Sequence, residues 1–275
     1  MNLAPLPRGA CDCHVHIYED GYPLAATATF QTPHAPVARY REVQRALGLE
    51  RVVLVQPTGY GFDNRCLIDA LAQLGETARG VAVIAPDTDD RELQRLHAAG
   101  VRGVRYMLLA GSGGALSWAT LPAHSARIAP LGWHIDLQFD GREMRERRAL
   151  IDALPCPVVI DHIGRYVEPV APDDPSFRSL IDALARPARW IKVSAPYETS
   201  RLGGPDYADV AALGRALLRE RPDRCLWASN WPHPNRQPVP SDAAMLELLD
   251  RWAGDVALRD RVLADNAARA YGFDG

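Results

Sequence analysis

The chain has 275 residues, 47% of them hydrophobic and 24% charged, with a formal net charge of −3. That length supplies a buried core for one large α/β barrel or for two ordinary domains. The charge balance offers no basic face to nucleic acid or anionic membrane, and no apolar run approaches the roughly 20 residues of a membrane span.

Short runs rich in Val and Ile alternate with longer amphipathic stretches. In chain order, strands are predicted at 11–16, 51–56, 80–85, 101–107, 133–138, 157–162, 190–194 and 224–230. Helices are predicted at 36–47, 64–74, 91–99, 121–130, 142–154, 174–184, 207–220 and 242–252, with a last one over 256–271. Near-continuous apolar strands alternating with helices imply a parallel sheet covered by helices. Eight such units fit a single-domain (β/α)8 TIM barrel over 1–275. A doubly wound sheet would want a glycine-rich phosphate loop after the first strand. That strand ends instead in His14-Val15-His16, and the run Gly111–Gly114 lacks the P-loop lysine, so it reads as a flexible loop over the barrel mouth.

In such barrels the reactive groups sit at the carboxyl ends of the strands. Polar residues appear at those ends in turn: His14 and His16, then Gln56 with Thr58 beyond it, Arg105, Gln138, Asp161-His162, and Asn230 followed by Trp231-Pro232-His233. Period-two geometry puts Asp12, His14 and His16 on one face, so the two histidines converge on one point. His162 joins them across the barrel, whereas Asp161, of opposite parity, reads as structural. His233 lies in a loop that can line the pocket, and Arg165 serves equally well as a salt-bridge partner or an anion holder. His97 and His124 are expected on helix surfaces, and His134 sits at the wrong end of its strand for chemistry. The opening stretch MNLAPLPRGACDCHVH has no apolar signal core, which points to the cytoplasm. There the five scattered cysteines read as small buried hydrophobes, with Cys11 and Cys13 pointing the same way.

HVH on the first strand, DHIGR on the sixth and SNWPHPN on the eighth, with VLVQPT on the second, resemble the amidohydrolase superfamily. The resemblance lies in its branch of lactone-acting enzymes, 2-pyrone-4,6-dicarboxylate lactonases and galactarolactone isomerases, and it extends from Cys11 to about Tyr271. In the wider superfamily this implies a zinc-like metal held by first-strand histidines and a strand-eight aspartate. The lactonase branch implies none, with that aspartate activating water. Position 230 here is Asn, as in the isomerase. An amide takes no proton at neutral pH and is a poor zinc ligand.

What the resemblance implies is a metal-independent enzyme without cofactor, acting on a sugar-acid lactone by ring opening or isomerisation. Arg105 anchors a carboxylate, His14, His16 and His162 surround the lactone carbonyl, and Asn230 orients the nucleophile. Gln56, Thr58, Gln138, Asn230 and Glu198 can hydrogen-bond substrate hydroxyls, and His233 is expected with them among the substrate-binding residues. By alignment with the lactonase, Gly111 and Glu198 replace arginines, and a carboxylate at 198 is expected to repel a second substrate carboxylate. The alternative is a metal-dependent amidohydrolase or decarboxylase with the three histidines as ligands.

Overall fold

All eight expected strands form in the computed structural model of the chain, which describes residues 5–273. They are β1 (Cys11–Val15), β2 (Arg51–Val55), β3 (Ala78–Ala82), β4 (Val101–Met107), β5 (His134–Gln138), β6 (Val158–Ile160), β7 (Arg189–Ser194) and β8 (Cys225–Ala228). They pair in parallel, each with the next. The helices between them are α1 (Val37–Leu47), α2 (Arg65–Leu74), α3 (Asp90–Ala98), α4 (Leu121–Ile128), α5 (Met144–Asp152), α6 (Pro175–Ala183), α7 (Ala208–Glu220) and α8 (Asp242–Ala253). The caps explain several starts. Asp89 accepts from the Glu92 amide to open α3, and Ser241 accepts from the Ala244 amide to open α8. Residues 1–4, part of the stretch read above for a signal segment, lie outside the described residues. Among the described residues no helix is long and apolar enough to cross a membrane.

The barrel closes just beyond the strand ends. The Asn230 amide donates to the His14 carbonyl at 3.0 Å, and the His16 amide donates to the Trp231 carbonyl at 2.9 Å. Closure therefore sets Asn230 beside the first-strand histidines. The lower interior is apolar: Cys11, Cys13, Val53, Val55, Val159 and Leu226 pack against Tyr271 and Phe273 from the C-terminal segment. His134 shares that floor, edge-on to Tyr271. Its ring lies where a side chain on Gly103 would be, since a Cβ there would sit 2.5 Å from the imidazole.

Five details differ from the sequence reading, each for a physical reason. First, the register of β1 against β2 slips between Asp12 and Val15. A bulge resets the in–out alternation, so Cys11 and Cys13, pointing the same way as expected, share the inward side with His14 and His16. Asp12 turns to the helix side, where it accepts from Ser229 and from Tyr40 of α1. Second, β3 ends early because the Asn64 side chain, not a strand, accepts the Val83 amide at 3.1 Å. Third, β6 stops at Ile160 because His162, Ile163 and Arg165 all adopt positive φ. Fourth, the helix over 256–271 is interrupted. α9 (Val256–Asp260) and α10 (Asn266–Tyr271) flank a π-helical turn, after which the Asn266 side chain donates to the Pro222 and Cys225 carbonyls. Fifth, His124 is buried and bonded to the Tyr106 hydroxyl at 2.6 Å, not on the surface. His97, half-buried, accepts from the Trp133 indole at 2.9 Å.

Candidate active site

A cavity of about 390 Å³ opens at the carboxyl ends of the strands, lined by His16, Thr58, Arg105, Gln138, His162, Asn230 and Glu198 among others. Three predicted residues stand behind that lining. His14 lies beneath His16. Gln56 spends its amide on the Gly61 and Asp63 carbonyls at 3.2 and 2.8 Å, folding the loop after β2, while its own carbonyl accepts from Arg105 at 2.9 Å. His233 is buried between Tyr197 and Asp242. Gln56 and His233 therefore shape the site through the residues they hold.

Beneath the cavity lies a wholly buried charged cluster. Lys192 of β7 contacts Asp136 of β5 at 2.6 Å, Asp161 at 2.9 Å and His14 Nδ1 at 2.9 Å. Burial opposes ionisation of Asp161, but the adjacent Lys192 ammonium outweighs it and holds this carboxyl well below its usual range. Burial and the neighbouring Asp161 push Asp136 up. Removing one partner from such a cluster costs about 3–5 kcal/mol because a charge is left buried and unpaired. Asp161 is thus structural, as expected, yet it also faces inward. The left-handed turn at His162 overrides strand parity and brings both residues to the interior.

Burial pulls all three histidines down: His14 and His16 well below the usual imidazole range, His162 to about 4. They are neutral at pH 7. His16 Nδ1 meets the Val55 carbonyl at 2.7 Å, and His162 Nδ1 meets the Ser194 hydroxyl at 2.9 Å. His14 Nε2 and His16 Nε2 are 3.2 Å apart.

On the strand-eight side a directed chain fixes Asn230. Asp242 lies 2.9 Å from His233 Nε2, His233 Nδ1 lies 2.7 Å from the Tyr197 hydroxyl, and Asn230 Nδ2 lies 3.0 Å from the same hydroxyl. A carboxylate accepts, so His233 carries its proton on Nε2 and accepts from Tyr197 at Nδ1. The Tyr197 oxygen then accepts from the Asn230 amide nitrogen. The orientation of the Asn230 amide follows from these roles, and its Oδ1 is a buried atom without a protein partner, on a residue that lines the cavity. Asn230 itself holds a positive φ of 63°, a region that Asn tolerates.

Nearer the mouth Glu198 is clasped by two guanidinium groups, Arg165 at 3.1 Å and Arg236 at 2.9 Å. The repulsion expected from Glu198 against a second substrate carboxylate is therefore overturned: two cations on one carboxylate leave this wall net positive. Arg165 acts as a salt-bridge partner and still lines the cavity. The sequence reading missed Lys192, Asp136, Arg236 and Tyr197. A lysine and an aspartate on the inward parity of buried strands were the signal available for the first two.

Comparison with known proteins agrees with this geometry. The amidohydrolase family model matches residues 11–273. The chain is 35% identical to a 2-pyrone-4,6-dicarboxylate hydrolase of Comamonas testosteroni, over 97% of this chain and 91% of that protein. It is 33% identical to a D-galactarolactone isomerase of Agrobacterium fabrum, over 94% and 90%. An apo crystal structure from Agrobacterium tumefaciens superposes with a TM-score of 0.92 at 32% identity, covering 98% of both chains. The chain belongs to the amidohydrolase family. Whether this amidohydrolase suits the metal of the wider superfamily is testable on its donors. Among the described residues the group of suitable geometry is His14, Asp161 and His162. Its one carboxylate is already neutralised by the Lys192 ammonium, and the strand-eight donor is an amide tied to Tyr197. These donors do not fit a resident divalent ion, which prefers free carboxylate, imidazole or thiolate.

Proposed function

We propose that this amidohydrolase acts, without a metal or other cofactor, on the lactone of a carboxylate-bearing sugar acid. It opens the ring with water or moves the acyl group to another hydroxyl of the same substrate. The observation that carries the reading is the locked Asn230 amide, whose buried Oδ1 has no protein partner on a residue that lines the cavity; in this reading it accepts a hydrogen bond from the nucleophilic oxygen. Arg105 holds the substrate carboxylate, and Thr58 and Gln138 take hydroxyl groups. A second anionic group is tolerated against Arg165 and Arg236. The lactone carbonyl lies against His16 and His162. As the new C–O bond forms, the nucleophile's proton leaves its hydrogen bond with Asn230 Oδ1 for His162 Nε2, which returns it to the departing ring oxygen. The relatives named above, a lactone-opening hydrolase and a lactone isomerase, support the same chemistry. A cytoplasmic setting accords with cysteines that are buried and free.

Between the two outcomes, Asn230 favours transfer within the substrate. A hydroxyl already held beside the carbonyl gains most of its rate from proximity, and an amide offers no base to a competing water. The test is turnover of a panel of aldaro- and aldono-lactones followed by NMR, which separates ring opening from ring migration. Inertness toward the whole panel would sink the reading. In the same assay Asn230→Asp should lower the ratio of isomerised to hydrolysed product. The new carboxylate competes with His233 Nδ1 for the single Tyr197 proton and serves as a base for water, an effect worth roughly 10²–10⁴-fold for a well-placed base. An unchanged ratio would show that Asn230 does not govern the partition.

A further inference from the structure

We propose that Lys192 is a positioning residue that locks His14 as its Nε2–H tautomer and, through His14, leaves His162 as the histidine free to accept a proton. The inference rests on the lactone reading for its catalytic consequence, but the tautomer lock stands on geometry alone.

An ammonium group has three N–H donors and no lone pair. Lys192 Nζ has three neighbours within bonding distance: Asp136 Oδ2 at 2.6 Å, Asp161 Oδ1 at 2.9 Å and His14 Nδ1 at 2.9 Å. Asp136 and His14 are hydrogen-bonded to the ammonium and Asp161 is its ion-pair partner, and because the ammonium has no lone pair His14 Nδ1 must accept. Burial and the Lys192 charge keep His14 neutral, so its single proton sits on Nε2. That N–H faces His16 Nε2 at 3.2 Å. His16 Nδ1 is 2.7 Å from the Val55 carbonyl, which only accepts, so His16 Nε2 is bare and receives the His14 proton as a hydrogen bond. The result is a one-way chain from ammonium to imidazole to imidazole to carbonyl. Its consequence is a division of labour. The lone pair of His16 is occupied from below, which lowers its basicity. His162 bonds Ser194 through Nδ1 and keeps Nε2 for the cavity.

Without Lys192 the chain has an alternative. Asp161 Oδ1 lies 3.3 Å from His14 Nδ1. The freed carboxylate would draw the His14 proton to Nδ1, and two bare Nε2 atoms would then face each other in the floor.

Long-range ¹H–¹⁵N spectra of histidine-labelled protein report which ring nitrogen carries the proton. The native protein should show His14 protonated at Nε2 and His16 at Nδ1. Lys192→Met should move the His14 proton to Nδ1. The double variant Lys192→Met/Asp161→Leu, which removes the carboxylate nearest His14 and leaves Asp136 to be held as the neutral acid by its burial, should show both His14 tautomers. In folded variants kcat on a lactone should fall roughly tenfold to a hundredfold with KM little changed, since Lys192 does not touch the cavity. His14 protonated at Nδ1 in the native protein overturns the proposal without any variant, and so does an Nε2–H tautomer that persists in Lys192→Met. If the native spectrum is as expected but no lactone is turned over, the lock stands and the lactone reading falls.

Discussion

Replacing Arg105 with alanine should weaken binding of carboxylate-bearing lactones far more than binding of neutral ones. Arg105 lines the cavity from β4 and is almost wholly buried. Its Nη1 donates to the Gln56 carbonyl at 2.9 Å and its Nη2 to Gln138 Oε1 at 3.1 Å. These two bonds fix the plane of the guanidinium before substrate arrives and leave further N–H groups for a carboxylate. A pre-set fork gives the strong bidentate geometry that a point charge does not. Truncating one partner of a desolvated charge pair costs on the order of 2–5 kcal/mol. That corresponds to about thirtyfold to several thousandfold in Kd. Calorimetric titration of an acid lactone and its neutral analogue into both proteins measures the difference. Arg105→Lys should fall between, keeping the charge and losing the fork. Equal losses for acid and neutral ligands would make Arg105 a structural strut for the Gln56 loop.

His162→Gln should lower kcat by roughly 10²–10⁴-fold, the usual worth of a positioned proton-transfer group. Glutamine retains a hydrogen bond toward Ser194, so the loss reports the missing imidazole Nε2 and not a collapsed turn. The pH profile gives an independent sign. Burial lowers His162 to about 4, so the imidazole is a competent base at every pH above that value. Native kcat/KM should therefore hold as pH falls below the ordinary imidazole value of about 6.5, and should decline near pH 4. An acid limb near 6.5 would assign the base to a more exposed group. A variant as fast as the parent would leave His162 with only its bond to Ser194.

The elements and residues of the site were legible in the chain to different degrees. Runs such as Val52-Val53-Leu54-Val55 and Val158-Val159-Ile160 fill the barrel wall and announce it, and the polar residue closing each run marks the mouth. Two local departures were hidden. The bulge that sends Asp12 outward depends on how β1 meets β2, not on the β1 sequence. The turn that re-aims His162 puts the β-branched Ile163 at a φ of 60°, where no local rule would place it. Long-range pairing was hidden as well. Lys192 and His14 are 178 positions apart, and nothing in either segment names the other. Glu198 was misread for the same reason: its charge was visible, but Arg236, which neutralises it, arrives from the long loop after β8.

In the proposed reaction neutral imidazoles and a locked amide, with Lys192 supplying the buried positive charge, do the work that a metal does elsewhere in the superfamily. The most direct measurement is lactone turnover by chelator-treated protein whose metal content is determined by elemental analysis on the same sample. Full turnover is expected with zinc and manganese far below one per chain, and no gain when either ion is added back. Turnover that disappears on chelation and returns in proportion to about one bound zinc per chain, the stoichiometry of a catalytic zinc site, would contradict it.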